Sequence, residues 1–203
     1  RSTASTGATR VASGRTRTLD LGHVMGPGGI DRYFVHVLSC GLGGLVDRYA
    51  AKNSRFLGGK AIYYVAFLRA LVAGKFGRVK CRITLKGETV EREFHTLVLA
   101  VCKGRCFGSG MQLAPMARID DEVFEVISLS ARTKLHFLLN SPRIYRADHL
   151  RSTSVHHLQC DKLEVDLLNQ EAKNSFQLDL DGEPLGELPV RIDMLKGGLT
   201  LRA

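Results

Sequence analysis

The chain has 203 residues, of which 44% are hydrophobic and 24% charged, and this composition is typical of a globular protein and excludes a disordered one. Its length allows a sizeable buried core without disulfides or a bound metal. The net charge is +9, and the longest apolar stretch, residues 61–73, is interrupted by Arg69 and is too short to span a bilayer.

The first half of the chain alternates between strand and helix patterns that are separated by glycine and proline turns. β-Branched and aromatic residues predict strands at Thr18–Val24 and Tyr33–Cys40. Lys60–Ala73 contains helix formers and is apolar nearly all round, which predicts a largely buried helix. Arg78–Leu85 and Thr89–Phe94, joined by a Lys-Gly-Glu turn, predict a hairpin.

The second half is dominated by short strands. The continuous apolar run Thr96–Cys102 predicts a central strand, a glycine-rich loop follows at Lys103–Pro115, and Lys134–Asn140 predicts a short helix. Further strands are predicted at Val123–Leu129, within His156–Leu168, and at Phe176–Leu180, Val190–Met194 and Leu199–Arg202. This order predicts a mainly β (α+β) fold, an antiparallel β-sandwich with a few helices, in one domain over residues 1–203.

Charge is unevenly distributed along the chain. Between Arg48 and Arg82 there are nine basic residues and no acid, whereas Asp161 to Glu187 contains eight acids and two lysines. A basic surface attracts phosphates, so nucleic acid, nucleotides and anionic lipid headgroups all remain open as partners. The basic stretch is equally compatible with an ordinary solvated face.

The five cysteines are Cys40, Cys81, Cys102, Cys106 and Cys160. An odd number without paired spacing argues against a secreted disulfide framework and indicates a reducing compartment. Zinc ligation by these cysteines is disfavoured, because a Cys-x-x-x-Cys pair with a distant His-His lacks the usual ligand spacing.

Three polar motifs are candidates for chemistry, although each has an ordinary structural interpretation. Gly108 and Gly110 lie in a loop that allows close backbone approach to a ligand or simply joins two strands. Asp121, one of three adjacent acids, is either a ligand of a hard cation or an exposed residue of a solvated loop. Asp181-Gly182-Glu183 follows an apolar strand and is typical of a hairpin turn, but it also places two carboxylates together. The nearest phosphate-loop pattern, Gly59-Lys60-Ala61, lacks the first glycine and the hydroxyl.

In their order along the chain these motifs resemble the diacylglycerol kinase catalytic superfamily, which includes bacterial diacylglycerol kinases, sphingosine kinases and ceramide kinases. The matching segments are Thr18-Leu19-Asp20-Leu21-Gly22, Ser39-x-Gly41-Leu42-Gly43, Leu57-Gly58-x-x-Ala61, Gly108-x-Gly110-Met111, Asp120-Asp121 and Asp181-Gly182-Glu183. The resemblance implies the C-terminal, lipid-binding β-sandwich of a two-domain lipid kinase. The family's Gly-Gly-Asp-Gly-Thr nucleotide loop is expected in an N-terminal domain outside this chain.

The resemblance also implies roles for particular residues. Glu183 matches the proton acceptor, with Asp181 beside it, and Asp121 matches a Mg²⁺ carboxylate, with the carbonyls of Arg118 and Val123 as companions. Gly108 and Gly110 match the cofactor-side glycine loop, while ATP is expected mainly on the other domain. The chain departs from the family pattern in three places: His36 replaces Asn, Glu122 replaces Gly, and Ser109 replaces the middle Gly of a triplet.

The implied function is ATP-dependent phosphorylation of a lipid hydroxyl, with diacylglycerol, sphingosine and ceramide as the substrate classes. We expect this chain alone to be inactive, and the whole protein to be cytoplasmic and peripheral on an anionic membrane, without nucleic acid; a homodimer is a further option. The alternatives are an NAD kinase-like enzyme and a non-catalytic lipid-binding or regulatory module. His36 and Glu122 favour the non-catalytic alternative.

Overall fold

A computed structural model describes residues 16–53, 59–108 and 110–202. Leu57, Gly58 and Ser109, three positions of the motifs above, therefore lie outside the described residues. Within the described part, twelve strands are named β1 to β12 in chain order. They are Thr16–Gly26, Ile30–Phe34, Val37–Gly41, Gly77–Leu85, Glu88–Thr96, Val98–Cys102, Phe124–Leu129, Val155–Cys160, Lys162–Leu167, Gln177–Leu180, Glu183–Glu187 and Val190–Arg202.

Four α-helices lie between the strands of the described part. They are α1 (Leu42–Asn53), α2 (Gly59–Ala73), α3 (Lys134–Asn140) and α4 (Pro142–Tyr145). The Thr133 hydroxyl caps the first turn of α3 by accepting a hydrogen bond from the His136 amide.

The strands form two six-stranded antiparallel sheets. The first has the order β2-β1-β12-β9-β4-β5 and the second β11-β10-β3-β6-β7-β8. Every residue of β3, β6 and β7 is buried, whereas β4 alternates between buried and exposed positions. The second sheet is therefore covered on both faces, and the first faces solvent on one side.

Two apolar clusters account for this burial. Between the sheets, side chains such as Leu99 and Val126 pack against Val79, Leu163 and Ile192 of the first sheet. On the other face of the second sheet, alternate residues of the same strands pack against helices α1 to α4 and the loop after β6. The predicted antiparallel β-sandwich is thus confirmed, and the helices form a third layer on one face of it.

Two segments in which a single strand was predicted divide between the sheets. Tyr33–Cys40 was predicted as one strand, but β2 ends at Phe34 in the first sheet and β3 begins at Val37 in the second. His156–Leu168 likewise divides into β8 and β9. Conversely, the two C-terminal strand predictions fall in one strand, β12, whose pairing with β1 shifts register after Leu19.

Helix α2 begins one residue before the predicted start and ends at Ala73 as predicted, but the prediction that it is largely buried is wrong. Tyr63, Tyr64 and Val72 are 49%, 62% and 78% exposed. In α3, Leu135 and Leu139 are 63% and 71% exposed. The helical layer therefore presents apolar side chains to solvent.

Candidate functional site

The turn between β10 and β11 is fixed by the side chain of Asp181. Its carboxylate accepts hydrogen bonds from the amides of Val35 (3.0 Å), His36 (3.2 Å) and Val37 (2.8 Å). The Asp181 amide donates to the Val37 carbonyl at 2.9 Å. Asp181 and Gly182 have φ of 51° and 92°, left-handed values that the Asp-Gly pair accommodates. Asp181 therefore holds the crossing from β2 to β3.

Glu183, unlike Asp181, does not bind backbone amides. It is the first residue of β11, is exposed, and faces Leu180 in the hairpin register. Among the described residues its carboxylate makes no hydrogen bond or ion pair. A carboxylate on a rigid turn, free of partners, is chemically available to accept a proton.

The crossing at His36 also anchors the glycine-rich loop after β6. The His36 carbonyl accepts hydrogen bonds from the amides of Lys103 (2.8 Å) and Gly104 (2.9 Å), and its ring Nε2 contacts the Cys106 carbonyl. The loop and the Asp181 turn therefore meet at the same end of the sandwich. His36, a departure from the family pattern, is built into this junction.

Gly108 and Gly110 lie at the far end of this loop. Their φ values are 52° and 92°, and the flanking Phe107 and Met111 pair through two backbone hydrogen bonds of 2.7 and 3.1 Å. A Cβ atom added at Gly110 would meet no atom within 4 Å. The glycines are thus required by the backbone conformation of the turn, and the space above Gly110 is open.

A cleft of about 590 Å³ opens beside the start of the same loop. Basic side chains line it: Arg17, Arg105 and Arg118, together with His36. Arg17 and Arg118 also lie 2.9 and 3.6 Å from the Asp120 carboxylate. The cleft is therefore predominantly cationic and suits an anionic ligand.

Asp121 and Val123 converge on a side chain that the sequence prediction did not consider. The buried ammonium of Lys103 donates to Asp121 Oδ1 at 2.8 Å and to the Val123 carbonyl at 3.1 Å, and its third contact is Asp20 Oδ2 at 3.1 Å. Arg118, whose carbonyl was predicted as the second companion of Asp121, lines the basic cleft. Glu122 has φ of 62°, a left-handed value that explains why glycine suits this position.

These donors do not fit Mg²⁺ as they are arranged. Mg²⁺ requires near-octahedral oxygen ligands at about 2.0–2.1 Å, and the point at which the Asp121 and Val123 oxygens converge is filled by the Lys103 ammonium. Elsewhere in the part of the chain that the structure describes, no group of three or more His, Cys, Asp or Glu side chains could hold a metal.

An apolar pocket of about 500 Å³ lies between the second sheet and the helices. Its walls include Val46 of α1, Phe67 of α2, Val98 of β6 and Phe137 of α3. Phe107 and Met111 close one side, so the loop that borders the basic cleft also borders this pocket. The rim carries Tyr63, Tyr64 and Tyr145.

A pair of carboxyl groups lies at the wall of the pocket. Asp47 of α1 lines it, and its side chain meets Asp179 of β10, which is fully buried. Ser39 donates to Asp179 Oδ2 at 3.4 Å, whereas Asp179 Oδ1 has no donor. Burial and the nearby Asp47 charge raise the pKa of Asp179 to about 8, and burial also raises the pKa of Asp47. A proton held between the two carboxyls would remove the repulsion between their charges.

Comparison with known proteins identifies the family. The family model of the YegS C-terminal NAD kinase β-sandwich-like domain matches residues 36–203. The chain belongs to this family. The recognition from sequence motifs is thereby confirmed, and the matched range contains the Asp181 turn, the glycine-rich loop and the pocket of this YegS-type domain.

Relatives of the YegS-type domain carry the names of lipid kinases. A “Probable lipid kinase YegS-like” of Chromohalobacter salexigens is 29% identical over 175 residues, which are 85% of this chain and 53% of the relative. A diacylglycerol kinase of Mycobacterium tuberculosis is 26% identical over 190 residues, 92% of this chain and 59% of the relative. The chain therefore spans between half and three fifths of the length of these relatives.

A solved structure shares the fold. The crystal structure of a diacylglycerol kinase from Bacillus anthracis str. Sterne superimposes with a TM-score of 0.58 at 15% identity, covering 96% of this chain and 57% of that one.

Three functional-site residues of the YegS-type domain, Lys103, Asp47 and Asp179, were not predicted from the sequence. The sequence offered one signal, for Lys103 alone. This lysine directly follows the apolar run Thr96–Cys102, where a central strand predicts that side chains are buried.

Proposed function

We propose that residues 1–203 form the lipid-binding domain of an ATP-dependent lipid kinase, which transfers the γ-phosphoryl group of ATP to a lipid hydroxyl. The nucleotide-binding domain would belong to the part of the relatives that this chain does not match. The observation that carries the proposal is the apolar pocket, which adjoins the loop that borders the basic cleft.

The pocket favours an acyl or alkyl chain over a nucleotide. Its volume of about 500 Å³ is in the usual range for small-molecule sites, and aliphatic and aromatic side chains such as Val46, Phe67 and Phe137 form its walls. A dinucleotide requires many hydrogen-bond donors and acceptors, whereas the polar groups of this lining are few: Asp47, Ser141 and the tyrosines of the rim. The NAD kinase-like alternative therefore has less support than a lipid substrate.

The basic cleft supplies the complementary half of the site. Arg17, Arg105 and Arg118 line the cleft, so phosphate oxygens placed here would meet positive charge. Gly108 and Gly110 have no side chain themselves, which permits close approach of their backbone to a cofactor. We assign this side of the domain to the ATP phosphates, which would arrive with Mg²⁺ on the other domain.

In this proposal Glu183 accepts the proton of the lipid hydroxyl. As the hydroxyl oxygen bonds to the γ-phosphorus, the bond from that phosphorus to the β–γ bridging oxygen breaks and ADP leaves. The proton passes to the Glu183 carboxylate, which is exposed and without an ion-pair partner among the described residues. Asp181 positions the turn, because its carboxylate is committed to three backbone amides.

The exposed apolar side chains of the helical layer suit peripheral contact with an anionic membrane. Tyr63, Tyr64 and Tyr145 rim the pocket, and Lys134 of α3 donates to the Val72 carbonyl of α2, which joins the two helices. No helix among the described residues is long and apolar enough to cross a bilayer. A lipid could then enter the pocket directly from the membrane surface.

The basic charge for this contact comes from fewer residues than the stretch Arg48–Arg82 suggested. Arg78, Lys80 and Arg82 lie on β4, where each forms an ion pair with a glutamate of a neighbouring strand. Arg143 and Arg146, beside the exposed Tyr145, lie next to the pocket rim instead. We therefore assign the membrane-facing surface to α2, α3 and α4.

Binding of a fluorescent diacylglycerol in neutral micelles tests the pocket. Val46→Trp places a large ring inside it, and we expect at least a tenfold weaker affinity than that of the native chain. Val90→Trp, at a 45% exposed position on β5, is the matched control and should bind as the native chain does. Equal binding by Val46→Trp and the native chain would remove the support for a lipid pocket.

A further inference from the structure

The ammonium of Lys103 is fully buried and has all three of its hydrogens committed. The side chain has 0% exposure, and three oxygens surround Nζ: Asp121 Oδ1 at 2.8 Å, Asp20 Oδ2 at 3.1 Å and the Val123 carbonyl at 3.1 Å. An ammonium group has three donors and no acceptor, so this arrangement satisfies it completely.

The second carboxylate of the site, Asp20, is also fully engaged. Its Oδ2 accepts the Glu122 amide at 2.7 Å and its Oδ1 accepts the Gly197 amide at 2.9 Å. Burial acts to raise the pKa of Asp20, but the amides of Gly197 and Glu122 and the Lys103 ammonium together hold it below its usual value. Asp20 therefore stays ionised beside the ammonium.

The four segments that meet here come from both sheets. Asp20 belongs to β1 and Gly197 to β12 of the first sheet, Lys103 follows β6 of the second, and residues 119–123 form the loop before β7. The Asp20 amide also donates to the Ile119 carbonyl at 2.8 Å. A cation at this point ties the loop to both sheets and fixes the wall of the basic cleft that Arg118 and Ile119 form.

We propose that the Lys103 ammonium takes the place of a divalent metal ion between Asp20, Asp121 and the Val123 carbonyl. The cation of this site is then part of the protein chain itself. An ammonium and a metal cannot share the point at which these oxygens converge. The loop is consequently ordered without Mg²⁺ or Ca²⁺, and the domain does not bind either ion there.

The proposal predicts how the native chain responds to metal. Its melting temperature should be the same in EDTA and in 10 mM MgCl₂ or CaCl₂, and isothermal titration should detect no saturable binding near Asp121. A saturable rise in melting temperature with Mg²⁺ in the native chain, lost in Asp121→Asn, would overturn the proposal without any Lys103 variant.

Two substitutions of Lys103 separate its charge from its bulk. Lys103→Ala leaves two carboxylates and a carbonyl around a vacated point, an oxygen-only set that suits Ca²⁺. We expect a melting temperature in EDTA about 5–10 °C below native, because breaking a buried ion pair is costly, and a partial recovery with Ca²⁺. Lys103→Met fills the same space without charge, so Ca²⁺ should not raise the melting temperature of this variant. Equal Ca²⁺ responses of the native chain and Lys103→Ala would contradict the proposal.

Discussion

Asp181 and Val37 are joined by two hydrogen bonds that run in opposite directions. The Asp181 amide donates to the Val37 carbonyl at 2.9 Å, and the Val37 amide donates to Asp181 Oδ1 at 2.8 Å. The β10–β11 turn and the crossing between the sheets are therefore one unit. This unit places Glu183 on a fixed support next to the loop that carries the basic cleft.

Asp181→Ala should lower the stability of the domain. The substitution removes the acceptor of three backbone amides at once and places alanine at φ 51°. Amides at partly exposed positions recover water, so we expect a loss of about 2–3 kcal/mol in the free energy of unfolding, measured by urea denaturation.

Glu183→Ala is the comparison for that measurement. Its side chain is exposed and without a partner among the described residues, so the expected change is within about 0.5 kcal/mol. Similar losses for Asp181→Ala and Glu183→Ala would show that the turn does not depend on the Asp181 carboxylate.

Asp179→Asn should remove a pH dependence of stability. The pKa of Asp179 is raised from 3.8 to about 8, so between these values the folded state binds more protons than the unfolded state, and stability falls as pH rises. The asparagine side chain keeps an oxygen that accepts the hydrogen bond from Ser39. Its NH2 group can donate to the Asp47 carboxylate. At pH 8 we expect Asp179→Asn to be more stable than the native chain by about 1–3 kcal/mol, with little difference near pH 4.

Thermal unfolding at several pH values measures this effect. Asp166→Asn, at an exposed position on β9, serves as the control and should follow the native curve. A native chain whose stability is flat between pH 4 and pH 8 would mean that the Asp47–Asp179 pair does not share a proton.

Leu135→Ser with Leu139→Ser should weaken binding to anionic vesicles. Both leucines are more than 60% exposed on α3, so their loss costs little stability. Removing two leucines from a membrane contact should lower the partition coefficient about tenfold, measured by sedimentation with phosphatidylglycerol-containing liposomes. Leu201→Ser, 44% exposed on β12, is the control. Binding should also fall as salt rises; unchanged sedimentation of the double variant would rule out this surface.

The sequence predicted the elements of the fold better than their assignment to sheets. Hydrophobic periodicity located β4, β6 and α2 within a few residues, because these elements are local. The division of Tyr33–Cys40 depends on Asp181, which is 144 residues from Val37 in the chain, and no local pattern indicates such a contact.

The candidate site was predicted in part. Motif order indicated Glu183, Asp181 and Asp121, and the structure shows Asp181 in a backbone-anchoring position and Asp121 bound to Lys103. The pairing of Lys103 with Asp20 and of Asp47 with Asp179 arises only when β1, β6, α1 and β10 come together in three dimensions. Composition and spacing carry no signal for such contacts, whereas turn chemistry does for Asp181-Gly182.

The most direct test of the proposed function is the turnover of Glu183→Gln in the complete kinase that contains this domain. Glutamine keeps the shape of the side chain and removes the proton acceptor, so kcat should fall by about 10²–10⁴-fold while the KM for diacylglycerol changes little. Glu187→Gln, on the same strand and paired with Lys173, is the control and should keep native turnover. A Glu183→Gln enzyme that phosphorylates lipid at the native rate would contradict the assignment of Glu183 as the proton acceptor.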